Sequence, residues 1–209
     1  MKAPLWVVVW ILVIELFLIL VFVPGQWTEK VIIKEAQKIE RALGTDSVEW
    51  IRDRADSWYN TTMIDSGVYR TLYTVMIPTK RERENSRGME TLGSALWPWV
   101  EGRLTALMHV IYQVYARVAL FLVWAPYMLI LLVPSIWDGM MSWRIKRTNF
   151  DYASPIFHRY GVRGVIMITQ IMLITFFMPI ALSPLFIPLA MMGTSVMIGL
   201  TVANFQKRV

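Results

Sequence analysis

Four long apolar stretches alternate with polar ones along the chain, and this alternation predicts its organisation. Leu5–Val23 is 19 residues with one charge, Glu15, and Val114–Val133 is 20 residues with one charge, Arg117. Val165–Leu182 and Leu185–Ala203 carry no charge and are separated by Ser183-Pro184. About 20 apolar residues suffice for a helix to cross the hydrocarbon core of a bilayer. The pattern therefore predicts an all-α polytopic membrane protein with four transmembrane helices.

The first stretch, residues 1–24, follows Lys2 as a signal-peptide core would. It is longer than such cores usually are and has no small-x-small site before Pro24. It is expected to be an uncleaved first helix, ending at Pro24.

Residues 25–92 are polar and show helical periodicity in three places. Thr28–Leu43 places Ile32, Ala36, Ile39 and Leu43 on one face, with Thr28 as cap and Gly44 as stop. A second helix, capped by Asp46 or Ser47, runs to about Tyr59 with Val48, Ile51, Ala55 and Trp58 on one side. The third spans about Asp65 to Ile77, aligns Val68, Leu72, Tyr73 and Met76, and stops at Pro78. Thr79–Gly88 is expected to be a solvated loop. Three short helices have little core of their own and should pack on the membrane-proximal chain.

Residues 93–133 read as a lead-in helix, Leu92–Met108, followed by the second span. Trp97-Pro98-Trp99 suits the outer interface, Pro126 should kink the span, and Pro134 should end it. Residues 134–164 then form a connecting loop. Its stretch Trp137–Gly164 holds Arg144, Lys146, Arg147, Arg159 and Arg163 against Asp138 and Asp151. Short loops rich in Lys and Arg stay on the cytoplasmic side. With this loop inside, residues 165–209 form a hairpin whose tail, with Lys207 and Arg208, also falls inside. Both termini are then cytoplasmic (N-in/C-in), and 25–92 is a small helical periplasmic segment.

Composition agrees with this picture. Of 209 residues, 56% are hydrophobic and 17% charged, and the mean hydropathy is +0.48. The net charge of +6 could suggest nucleic acid. However, residues 25–103 hold twelve acidic and twelve basic side chains, so the surplus lies in Lys2, Arg117, the basic loop and the tail. That distribution fits membrane orientation and predicts no direct sequence-specific nucleic-acid binding. The absence of cysteine excludes disulfides, thiolate metal sites and cysteine nucleophiles.

Candidate chemistry is sparse. Glu15 lies mid-span, where a carboxylate should be paired, protonated or facing a cavity. Its expected role is an intramembrane polar contact with Arg117 on the antiparallel second span; a proton or ion relay and a contact with another protein are the alternatives. His109 and His158, the two histidines, fall on opposite sides of the membrane in this topology, so they predict no shared metal site. Ser154 and Pro155 should cap and start a helix, with His158, Arg159 and Arg163 along its exposed side. Together with Arg144, Lys146 and Arg147 these residues can anchor lipid headgroups or dock a cytoplasmic partner. Gly193, Thr194, Ser195 and Gly199 on the last span suggest close helix packing, within this chain or against another. The sequence has no GxxxxGK[ST], GxSxG, HExxH or GxGxxG motif. The expectation is a non-enzymatic protein with no cofactor.

The layout of one uncleaved span, an exterior polar segment, a second span, a basic segment containing Ser154, Pro155, His158, Arg159 and Arg163, and a closing hairpin resembles a known family. It is similar to the small inner-membrane proteins, a domain of unknown function, of integrating conjugative elements and conjugative plasmids. In such elements the gene accompanies the coupling-protein ATPase of a type IV secretion system. The resemblance implies an inner-membrane accessory that binds a hexameric coupling ATPase through membrane helices and the basic loop. It implies no catalytic residues. Two other readings stay open: an oligomeric transporter or channel subunit with Glu15 and Arg117 in a polar path, and an exclusion- or immunity-type protein acting through residues 25–92.

Overall fold

The computed structural model describes residues 5–78, 90–149 and 154–205. Lys2, the expected loop Thr79–Gly88, Asp151 and the tail residues Lys207 and Arg208 lie outside the described residues. Among those described there are seven α-helices and no strand: α1 (Leu5–Phe22), α2 (Gly25–Leu43), α3 (Thr45–Tyr59), α4 (Val68–Met76), α5 (Glu90–Thr148), α6 (Pro155–Phe177) and α7 (Phe186–Ala203). The all-α expectation holds.

Among the described residues, three helices are long and apolar enough to cross a membrane: α5 from Leu96 to Thr148, α6, and α7. A fourth span is reached if α1 from Val9 and α2, which meet at a 115° bend, are counted together. In that pair α1 supplies the apolar residues, and α2 is amphipathic with seven charged side chains.

Two compact units divide the chain. The first comprises residues up to Ala119 together with Phe176–Ser183. Here α2 ends at Gly44, as its composition predicts. Gly44 has φ of 84° and donates its N–H to Glu40 O; a residue without Cβ takes that conformation at least cost. Thr28 does not cap α2, which begins three residues earlier at Gly25. The buried stripe of α2 is Thr28, Val31, Glu35 and Ile39. Of the expected face Ile32, Ala36, Ile39 and Leu43, Ile39 is buried and the other three are half-buried; the stripe is rotated towards Thr28 and Glu35, which find polar partners inside. Ile51 and Ala55 of α3 are buried as expected.

A π-helical turn, Asn60–Asp65, carries the chain from α3 towards α4. Helix α4 begins after Gly67 and ends before Pro78, but it has no buried residue. Val68, expected on its packed face, is 40% exposed.

The second unit comprises Leu120–Thr175 and the residues from Pro184 onward. It corrects several boundaries. The expected lead-in helix and second span are one 59-residue helix, α5, which continues through Pro98, Pro126 and Pro134. For Pro126, inside the apolar run, leaving the helix in hydrocarbon would expose backbone polar groups with nothing to bond, so the local penalty of the proline is the smaller one. The segment 134–164 is therefore largely helical rather than a loop: α5 runs to Thr148 and α6 starts at Pro155. Close packing within this unit uses the small residues of α7. A Cβ on Gly199 would lie 2.5 Å from Ser135 Oγ and 2.9 Å from Ser135 O, and one on Gly139 would lie 2.6 Å from Gly199 O. The open choice of partner for these small residues is thus answered within the chain.

The third span also differs from its expected end at Leu182: α6 stops at Phe177. Pro179 lacks an N–H and disfavours helical backbone at Met178, so the last helical residues come just before it. The last helix, α7, keeps its expected limits to within one residue.

Candidate functional site

Unwinding after Phe177 frees carbonyl oxygens, and the first unit surrounds them with donors. Arg117 of α5 donates from Nη1 to Phe176 O (2.8 Å) and Met178 O (2.9 Å), and from Nη2 to Ile180 O (2.5 Å). Trp27 Nε1 donates to Pro179 O (3.2 Å), and Lys38 Nζ to Ala181 O (2.7 Å). A cation at a helix C-terminus is favoured by the partial negative charge of its last carbonyls. The turn is thus held from α2 and α5.

Arg117 is also gripped from below. Its Nε and Nη2 each donate to Glu35, at 2.9 Å to Oε1 and 2.9 Å to Oε2. Gln113, one helical turn before Arg117, adds an Nε2 bond of 2.5 Å to Glu35 Oε2. The Arg117 and Glu35 side chains are 1% and 7% exposed. Burying such a pair is tolerable only when geometry is good and the remaining polar atoms are satisfied. Here the five N–H groups of the guanidinium are all engaged.

One atom of the cluster is left over. Gln113 Oε1 is buried without a partner. Gln113 and Glu35 both border a cavity of about 70 Å³ that is otherwise lined mainly by apolar side chains such as Ile32, Ile39 and Ile51. That volume admits water, which can donate to Oε1.

His109 makes the polar contact next along α5. Thr28 Oγ1 donates to Gly25 O (2.8 Å), so the 2.9 Å contact between Thr28 Oγ1 and His109 Nδ1 is donated by the histidine. His109 thereby ties α5 to the start of α2.

The second unit caps the C-terminus of α7 in the same manner. Lys146 Nζ donates to Ala203 O (3.2 Å) and Asn204 Oδ1 (3.0 Å), and Trp143 Nε1 to Phe205 O (3.1 Å). His158 Nδ1 lies 3.0 Å from Thr201 O, which can only accept, so Nδ1 carries the proton. The His158 ring also meets Phe205 edge-on at 5.6 Å.

These contacts divide the residues singled out from sequence. Lys146 and His158 serve the fold as caps of α7. Ser154 precedes α6, which starts at Pro155 as expected, and its carbonyl accepts from His158 N at 3.3 Å. Arg144, Arg147, Arg159 and Arg163 are exposed, and the Arg147 guanidinium lies 5.6 Å from the Trp143 ring centroid. The expected pairing of Glu15 with Arg117 gives way to Glu35 with Arg117. Glu15 feels the charge of Arg117, but its Oε2 has no hydrogen-bond partner.

Sequence reasoning missed Glu35 and Gln113. The signal was present: Thr28, Ile32, Glu35 and Ile39 follow a 4-3-4 spacing, which places a carboxylate in the apolar seam of α2. Gln113 and Arg117 are four apart and share a face. Among the described residues, no group of three or more His, Asp or Glu could hold a metal ion.

Residues 24–208 match the family described as IncC plasmid conjugative DNA transfer protein DtrJ-like. The match covers nearly the whole chain. The chain belongs to the DtrJ-like family. It begins at Pro24, so the DtrJ-like region contains the Glu35–Arg117 cluster and the capped end of α7, and leaves α1 outside. No curated protein and no solved structure matches the chain.

Proposed function

We propose that this DtrJ-like chain is a non-enzymatic inner-membrane accessory of a conjugative type IV secretion system, and that it binds the hexameric coupling ATPase. The observation that carries the reading, beside the family, is the sorting of basic side chains at the α5–α6 connection. Lys146 and His158 are consumed by the fold, whereas Arg144, Arg147, Arg159 and Arg163 remain exposed and available to a cytoplasmic partner.

The proposed topology has four spans with both termini inside, α1 being the first. It is supported by the bonds from Trp27 and Lys38 to Pro179 and Ala181. They put α2 on the same side as the turn between the last two spans. With the basic connection inside, that side is the periplasm. A polar path through Glu15 and Arg117 has less support, since the guanidinium is immobilised by Glu35 and three carbonyls.

The test is affinity purification of the tagged full chain from its native host in mild detergent, followed by mass spectrometry. Stoichiometric recovery of the coupling ATPase is expected, and its loss on reversing Arg159 and Arg163 to Glu. Recovery of the protein alone, as a defined homo-oligomer, would overturn the reading.

A further inference from the structure

The register between α6 and α7 fixes how deep each basic residue of α6 lies. His158 Nδ1 meets Thr201 O at 3.0 Å. A Cβ on Gly161 would lie 3.0 Å from Met197 O and 3.1 Å from Thr201 N, and one on Gly164 would lie 2.7 Å from Met197 Sδ. Arg163 therefore stands level with the stretch between Met197 and Thr201, whereas α7 continues to Ala203. Helix α7 has 18 residues and no charge. At 1.5 Å per residue it measures about 27 Å, close to the roughly 30 Å of hydrocarbon, so all of it is needed to cross. Arg163 thus lies about one helical turn inside the end of α7, and Arg159 about one turn nearer that end.

At that depth Arg163 faces away from the chain. Gly161 and Gly164 are the positions of α6 that meet α7, and Arg163 is exposed. It shares a stripe about 60° wide with Ile156, Tyr160 and Met167, at 3.6 residues per turn. These three are 64%, 61% and 58% exposed. Arg159, also exposed, borders the same stripe. Among the described residues neither guanidinium has a hydrogen bond or an ion pair, and neither α6 nor α7 contains Asp or Glu. A long basic side chain facing hydrocarbon near the end of a span extends towards the headgroups, where the phosphates are.

We propose that Arg163 and Arg159 hold the phosphate of an anionic phospholipid in the inner leaflet, with Tyr160 beside the headgroup and Met167 along an acyl chain. Depth selects the site. Arg144 and Arg147 lie beyond the end of α7, since Trp143 Nε1 already reaches Phe205 O. Charge selects the occupant: two guanidiniums with no carboxylate on either helix favour a headgroup of net negative charge over a zwitterionic one. The inference goes beyond the accessory reading and takes from it only the topology, which makes the leaflet the inner one. It adds a lipid at the membrane edge of the basic surface on which that reading relies.

The test titrates the purified full chain in mild detergent with phosphatidylglycerol or with phosphatidylcholine and counts bound lipid by native mass spectrometry. Phosphatidylglycerol should bind more tightly. Arg163→Leu should weaken it about 5-fold, the worth of one arginine near an anionic headgroup, and leave phosphatidylcholine unchanged. Arg163→Gln should do the same, which covers a fold disturbed by leucine. Arg144→Leu, an equal loss of charge beyond the end of α7, should have no effect. Equal binding of the two lipids, indifference to both Arg163 variants, or an equal effect of Arg144→Leu would each overturn the proposal. So would loss of a co-purifying membrane protein, rather than of lipid, in Arg163→Leu, the mark of a partner helix. If phosphatidylglycerol binding depends on Arg163 and no ATPase is recovered from the host, the accessory reading falls alone. If the ATPase is recovered and lipid binding ignores Arg163, this inference falls alone.

Discussion

Arg117 and Glu35 meet through two parallel hydrogen bonds, each 2.9 Å, although 82 residues separate them in the chain. The same guanidinium closes the frayed end of α6. One side chain on α5 therefore fastens both α2 and the turn after Phe177, and the stability of the first unit should depend on it.

Removing one partner leaves a buried charge uncompensated, which typically costs about 3–5 kcal/mol. Glu35→Leu and Arg117→Met are each expected to lower the thermal unfolding temperature of the detergent-purified protein markedly. The double variant should be less damaged than the sum of the two, since neither charge then remains buried alone. Additive losses would mean that the pair is not coupled as its geometry indicates.

Gly199 has no room for a side chain against Ser135. Gly199→Val should destabilise the second unit by about 1–3 kcal/mol or more, as overpacking does. Gly193→Ala should be milder, because its Cβ would meet the mobile end of Ile168 at 3.3 Å. Thermal melts of the two variants in one detergent would show the difference, and equal melts would contradict the packing argument.

Charge removal at the α5–α6 connection should have two distinct outcomes. Lys146→Met and His158→Leu remove caps of α7 and should lower stability by about 0.5–2 kcal/mol each. Arg159→Glu and Arg163→Glu should leave the melting temperature within a degree or two, as exposed substitutions usually do, yet reduce transfer frequency in mating assays. A pair of reversed arginines that transfers DNA normally would remove this surface from consideration.

Orientation can be read from single cysteines, since the chain has none. A membrane-impermeant maleimide should label Ser57→Cys on α3 in spheroplasts. It should label Asn149→Cys after the inner membrane has been permeabilised and not before. The reverse pattern would invert the proposed topology.

Element limits set by local chemistry were legible in the sequence. Gly44 and Pro155 mark boundaries because their backbone preferences act within one or two residues, and the structure places breaks at both. Pro179 carried the same message for the end of α6, but the apolar run around it concealed the stop. Pro134 carried the opposite lesson. It was expected to end the second span, yet α5 continues through it to Thr148.

The polar site was half legible. Arg117 and Glu15 stand out because each interrupts an apolar run. Glu35 does not stand out, being one of many charges on α2, until its register within the apolar seam is counted. Lys146 and His158 looked like members of an exposed basic group, and nothing in their spacing indicates that both turn towards the carbonyls of α7.

What the sequence by itself determined is the class of the protein, its helical content, the helix limits marked by Gly44, Pro78 and Pro155, and the placing of basic residues at one connection. Transfer of apolar side chains out of water is nearly additive along a chain, so these features need no knowledge of neighbours. Only the tertiary structure decided which carboxylate pairs with Arg117, which basic residues are caps, and where α6 ends. Hydrogen bonds and ion pairs in a dry interior depend on distances of a few tenths of an ångström between distant segments, and those distances exist only once the helices have packed.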